Sequence, residues 1–249
     1  LTPGKPARAQ LRIILKMNPL LRRLALAGFL PGCVLPALAG RPLTTEDAAV
    51  LEDKACQLEA WVDRSRDVTL GWLVPACNFG LGIEWQAGFA REWESGTSRM
   101  PEAYAQAKGL LRDASEESRW SAGWVLGVAR RPTNESHRGW DNPYALLPVS
   151  WSAGSFNFHV QPGWARDRET GRDLTLWGVA IEHTTKPLDL VAEVFGQNSG
   201  KPFLRAGLRW TPIIDYLDLD LTYVTRPGGT RDERFVSIGF TWYGPPILK

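Results

Sequence analysis

Two stretches near the C-terminus show the patterning most plainly. Leu217, Leu219, Leu221 and Tyr223 alternate with Asp218, Asp220 and Thr222. Beyond a Pro-Gly-Gly loop, Val236, Ile238, Phe240 and Trp242 alternate with Ser237, Gly239 and Thr241. A period of two with one apolar and one polar face is a half-buried β-strand. Two carboxylates on one strand face need water or cationic partners. The apolar face needs a core or lipid, and no helical stretch after residue 40 could supply that core. The pattern predicts an all-β protein: a closed antiparallel transmembrane β-barrel, apolar outside and polar inside.

From Ala55 onward twelve alternating segments can be drawn, at 55–64, 68–77, 79–91, 102–112, 119–130, 143–153, 155–165, 172–183, 187–196, 203–211, 215–226 and 232–243. Most reach the ~9–11 residues of a tilted membrane strand. In the third, Leu81, Ile83, Trp85 and Phe89 oppose Gly82, Glu84, Gln86 and Gly88. Trp120, Trp124, Leu126 and Val128 oppose Ser121, Gly123 and Gly127 in the fifth. Phe156, Phe158 and Val160 oppose Asn157, His159 and Gln161. Glycines on the polar side would leave room for bulky inner neighbours. The first two segments do not say which face points outward. Pro148 falls inside the sixth, where it removes a ladder hydrogen bond.

Connections supply a second signal. Those at 78, 154, 184–186 and 212–214 are short, and those at 94–100, 131–142, 165–171, 196–202 and 226–231 are longer. The tight first turn and the longer 113–118 break the rule. Short periplasmic turns with long outer loops are the outer-membrane pattern. The last segment ends Ser237-Ile238-Gly239-Phe240-Thr241-Trp242-Tyr243. It resembles the terminal signal read by the outer-membrane assembly machinery, with 244–249 following as a tail.

The N-terminus fits export. Met17 precedes Arg22 and Arg23, then an apolar core from Leu24 to Leu35 and an Ala37-Leu38-Ala39 cleavage site before Gly40. Residues 1–39 read as leader and cleavable signal, with Met17 as the true start. Residues 40–54 read as an N-terminal periplasmic or plug segment, sitting on the periplasmic side or entering the barrel mouth. Removing the signal takes Cys33 with it and leaves Cys56 and Cys77. An even count in an exported chain implies a disulfide. A hairpin centred between Arg66 and Asp67 sets Cys56 opposite Cys77, Leu58 opposite Pro75 and Ala60 opposite Leu73. The alternative is two free thiols in neighbouring strands.

Composition then narrows the classes. The chain has 249 residues, a net charge of +2 and 12 Trp, so charge does not point to nucleic acid. Many aromatics with few apolar runs suit a barrel, where only alternate residues meet lipid. Loop cations such as Arg130, Arg131 and Arg138 could meet lipopolysaccharide phosphates. Cys56 and Cys77 have no paired His/Cys spacing beside them, so no metal and no cofactor is expected.

Several pieces resemble a known family: Arg41-Pro42-Leu43-Thr44-Thr45-Glu46-Asp47-Ala48, Ala55-Cys56-Gln57-Leu58-Glu59, Leu73-x-Pro75-Ala76-Cys77-Asn78 and Glu193-x-Phe195-Gly196-Gln197-Asn198. They are similar to proteins of the MetA-pathway of phenol degradation family, which resemble outer-membrane transporter-like barrels. Glu46 stands where that family often has Asp. The resemblance implies an outer-membrane barrel and a link to aromatic compounds.

The strongest constellation spans the ninth to eleventh segments. Asp189 and Glu193, Arg205 and Arg209, then Asp218 and Asp220 all fall on inward faces, stacking acid, base and acid around the lumen. They could set selectivity, close the pore, or brace the wall. Catalysis would need a serine or histidine with an orienting partner. His137 lies in a loop, His183 at a strand end, and His159 inward beside Asn157 and Gln161; no serine is placed near it by pattern. The chain is therefore read as an outer-membrane channel or transporter for small solutes, aromatic or hydrophobic ones among them, and not as an enzyme. The alternatives are a closed structural or surface-interaction barrel, a lipid-modifying enzyme, and a soluble β-sandwich.

Overall fold

The computed structural model describes residues 41–115, 118–131, 139–168 and 170–244. The signal, its cleavage site, the start at Met17, His137, Arg138 and the tail after Gly244 lie outside the described residues.

Its strands are β1 (Cys56–Arg64), β2 (Val68–Asn78), β3 (Ile83–Glu94), β4 (Thr97–Arg99), β5 (Ala103–Arg112), β6 (Trp120–Arg130), β7 (Asn142–Leu146), β8 (Val149–Ala153), β9 (Phe156–Asp167), β10 (Arg172–His183), β11 (Leu188–Gln197), β12 (Phe203–Ile213), β13 (Leu217–Thr225) and β14 (Arg234–Tyr243). All fourteen belong to one sheet. β4 folds back on the outer end of β3, and β7 and β8 are two halves of one stave, so the wall has twelve staves. Each pairs antiparallel with the next, and β14 closes on β1 from Gln57↔Tyr243 to Arg64↔Val236. Closure leaves the twelve staves no unpaired edge among the described residues, an edge that lipid would not tolerate.

The break between β7 and β8 has a local cause. Pro148 has no N–H to give. Its carbonyl still accepts from Gly123 at 2.8 Å, and Leu147 N–H donates to the Pro162 carbonyl at 2.9 Å. The stave bends there while staying tied to both neighbours.

Outward faces carry the apolar set. Leu73, Leu126, Val179, Leu190, Leu221 and Ile238 are exposed. Trp85, Trp120, Trp151, Trp210 and Trp242 gather near the end where the short turns lie; Trp93, Trp164 and Tyr223 gather near the other. Two aromatic girdles around an apolar band are what a bilayer demands of a barrel. No second layer covers these side chains among the described residues, so the soluble sandwich fails.

The first hairpin settles the question its sequence left open. Glu59, Trp61 and Asp63 of β1 and Trp72, Val74 and Ala76 of β2 face inward. Leu58↔Pro75 and Ala60↔Leu73 pair on the outer face, as does the Cys56–Cys77 disulfide at the periplasmic end. A bridge across a separation of 21 residues contributes about 3 kcal/mol in the loop-entropy picture. Cys56→Ser with Cys77→Ser is expected to lower the unfolding temperature while leaving a folded barrel, as read by heat-modifiable migration on a gel.

The buried interior is the lumen, and residues 41–51 fill much of it. Ala48, Asp47, Thr45 and Leu51 are buried among inward-facing wall residues. The segment therefore enters the bore and crosses it.

Candidate functional site: a plugged lumen and its charge network

Residues 41–51 show no alternation and, apart from an isolated bridge at Pro42, form no strand with the wall, yet most of their amides lie inside a barrel. Buried amides must find partners, and wall side chains supply them. Glu193 accepts from Thr44 N–H at 2.8 and 3.0 Å, from Thr45 N–H at 2.9 Å and from Thr45 Oγ1 at 2.8 Å. Gln161 Oε1 accepts from Glu46 N–H at 2.6 Å, Ser150 Oγ from Ala48 N–H at 2.9 Å and Glu84 Oε2 from Leu51 N–H at 2.9 Å. Carbonyls are met in turn. Arg209 donates to the Arg41 carbonyl at 3.0 and 2.7 Å, Arg205 donates to the Pro42 carbonyl, and Asn78 Nδ2 donates to the Leu51 carbonyl at 2.8 Å.

Charged side chains pin the two halves. The Arg41 guanidinium pairs with Asp220 at 2.6 Å, and Lys108 Nζ pairs with Asp47 at 2.5 Å and Glu46 at 3.1 Å. Gly178 leaves the space: a Cβ there would lie 2.3 Å from Thr45 Oγ1. Other inner-wall glycines serve the wall itself. Tyr104 lies across Gly88 and Tyr144 across Gly127, each where a Cβ would stand.

The six charges read from the alternation are all buried in the lumen. Register sets Asp189 and Glu193 beside Arg209 and Arg205, and Arg209 beside Asp220. Their closest partners differ from that simple stack. Asp220 turns to Arg41. Arg209 pairs with Glu182 at 2.8 Å and stands 4.0 Å from Asp189, while Lys186 reaches Asp189 at 3.2 Å. Asp218 accepts from Thr211 Oγ1 at 2.6 Å and from the Tyr243 hydroxyl at 3.2 Å. Glu193 and Arg205 do pair, at 3.2 Å, and both also hold the N-terminal segment.

His159 is joined by a serine that its sequence did not reveal. Ser150 Oγ lies 2.8 Å from His159 Nδ1, and His159 Nε2 is 3.9 Å from Glu182 Oε2. Serine, histidine and carboxylate in a row are the parts of an activated nucleophile. Here Ser150 Oγ is already engaged by Ala48 N–H, and His159 is fully buried. The row runs on through Arg209 to the Arg41 carbonyl, so it links two points of the plug.

Beside the plug remains a cavity of about 520 Å³. Its lining reaches from Arg166 and Gln197 towards the outer rim to Gln57 and Tyr243 towards the periplasmic rim. Trp61, Trp72, Tyr104 and Tyr144 form one wall; Leu174, Leu176, Phe195 and Phe235 contribute apolar surface elsewhere. Tyr104 and Tyr144 donate to Gln86 at 2.9 Å and Gln106 at 2.7 Å.

A closed twelve-stave wall, an apolar outer band with two aromatic girdles and a polar lumen define an outer-membrane β-barrel. The chain belongs to the family described as "Uncharacterised conserved protein UCP029691", whose model matches residues 34–242. No curated protein matches it in sequence. In three dimensions it is similar to the KdgM porin, at TM-score 0.58 and 9% identity over 75% of this chain and 98% of that one. It is similar to the KdgM porin in complex with disordered oligogalacturonate, at 0.56 and 10% over 75% and 98%. The NanC porin aligns at 0.51 and 10% over 77% and 100%. At such identities the likeness establishes the fold.

Proposed function

We propose that this barrel is a channel for small solutes, with residues 41–51 narrowing its bore to the cavity beside them. The cavity carries the reading, because its lining draws on both ends of the strands. Its rings and apolar side chains suit a small aromatic or hydrophobic solute, and the tyrosine and glutamine ladder can take a hydroxyl from it. The resemblance to phenol-degradation proteins supports the same class. An acidic sugar chain such as oligogalacturonate, present in one of the similar porins, would need a free basic track. Here Arg41, Lys108, Arg205 and Arg209 are held by carboxylates. Charges paired in this way offer less to a passing anion.

Planar-bilayer recording of refolded protein tests the channel. Arg205→Gln with Arg209→Gln removes the donors to the Arg41 and Pro42 carbonyls and should raise conductance. An unchanged conductance in a folded double variant would reduce both arginines to wall braces. The filled bore also favours a second reading, a closed structural barrel. That reading requires silence from the wild type and from a chain lacking the plug. Hydrolysis of lipid finds no support in the geometry, since Ser150 and His159 are covered by the plug and are not among the residues lining the cavity.

A further inference from the structure

The place where Arg41 sits is built like a ligand site. Three adjacent staves, β13, β14 and β1, contribute to it. Asp220 meets the guanidinium side-on, Nε to Oδ2 at 3.2 Å and a terminal nitrogen to Oδ1 at 2.6 Å. The same terminal nitrogen donates to Ser237 Oγ at 2.9 Å. Its Cζ lies over the Trp61 ring, 4.3 Å from the centroid. Gly239 makes the room, since a Cβ there would stand 2.8 Å from that nitrogen. A forked carboxylate, a hydroxyl, an aromatic face and a bare glycine together match the shape of guanidinium, and match an ammonium poorly.

The seat is also firm without its occupant. Trp61 stacks on Trp72 at 5.4 Å and donates its Nε1 to Asp63 Oδ2 at 3.2 Å. Asp63 stands opposite Ser237 on the closing ladder and faces the same seat. Glu59, on the same face of β1, accepts from Arg41 N–H at 3.2 Å. The local wall therefore gathers three carboxylates, Glu59, Asp63 and Asp220, around the Arg41 seat, with Arg205 as a second cation near Asp63 and Asp220. Arg41, Trp61, Asp63 and Trp72 all line the cavity, so a solute there arrives next to the seat.

We propose that the β13–β14–β1 wall is a guanidinium-binding site, which Arg41 fills from within as an internal ligand. A free guanidinium compound competes with Arg41 for Asp220 and Trp61 and loosens the start of the plug. This goes beyond the channel reading and does not need it.

The test is a titration of the full refolded chain in detergent with methylguanidinium chloride, read as a saturable rise in unfolding temperature. Arg41→Ala should bind it at least about tenfold more tightly than the wild type. Asp220→Asn added to Arg41→Ala should abolish the response, and methylammonium should give little. Arg41→Lys, which keeps a charge in the seat, should bind methylguanidinium more tightly than the wild type if Arg41→Ala does not fold. Equal response with and without Asp220, or wild-type-like binding by both Arg41 variants, would overturn the proposal. Binding by a barrel that conducts nothing would sink the channel and keep the seat; conduction without binding would do the reverse.

Discussion

A refolded chain beginning at Leu51 is expected to conduct severalfold more than the wild type. Eight-stranded barrels are filled by their own side chains, whereas sixteen strands leave an aqueous channel. Twelve staves fall between, with room for one extended segment, and residues 41–50 take it. Apart from an isolated bridge at Pro42, none of those residues joins a strand, and the closing ladder begins at Gln57. Removing them strips no backbone ladder from the wall. Glu193, Asp220 and Lys108 lose partners, but in an open bore water reaches them and the desolvation cost of an unpaired charge falls away. Planar-bilayer recordings that show equal conductance for both chains would mean that the plug does not limit the path.

Gly207→Val should prevent folding where most single substitutions in the wall would not. Gly207 faces Thr222 across the β12–β13 ladder. A Cβ at that position would lie 2.2 Å from the Leu221 carbonyl oxygen and 2.6 Å from the Thr222 Cα. Both are backbone atoms held by the ladder, so no side chain can turn aside. Ordinary overpacking costs about 1–3 kcal/mol because neighbours give way; here the strands themselves would have to part. The folded, heat-modifiable band should be lost. Gly88→Ala makes a useful contrast, since its obstacle is the Tyr104 ring, a side chain that can move. A folded Gly207→Val barrel would show that β12 and β13 have more freedom than their spacing implies.

Much of the wall was legible because a strand in a membrane barrel has only two environments. Asp218 and Asp220 between leucines announce an inward face, and the structure buries both. The first hairpin could be registered from its turn alone, down to Cys56 opposite Cys77. Pro148 marked the stave that breaks. A plug was one reading of residues 40–54, but its seating was not legible in the same way. Its amides bind side chains far along the chain, as Thr44 does Glu193 across 149 positions, and periodicity speaks only of a strand's own neighbours. One clue was present. Lys108 is an inward cation on β5 whose ladder partners are Glu84 on β3 and Val125 on β6. Its two ion-pair partners, Glu46 and Asp47, come from the plug. Similarly, Asp220 has Arg209 beside it in register, yet Arg41 takes it.

The claim at the centre is that the segment after residue 40 lives inside the barrel. Thr45→Cys combined with Gly178→Cys tests it directly in intact outer membranes. The two Cβ positions would lie 3.1 Å apart, a few tenths of an ångström short of the ~3.5–4.5 Å usual for a disulfide. A plug seated on β10 should give the 45–178 bridge without added oxidant, visible by peptide mapping. Two free thiols, both open to maleimide and never joined, would place the segment elsewhere and contradict the account.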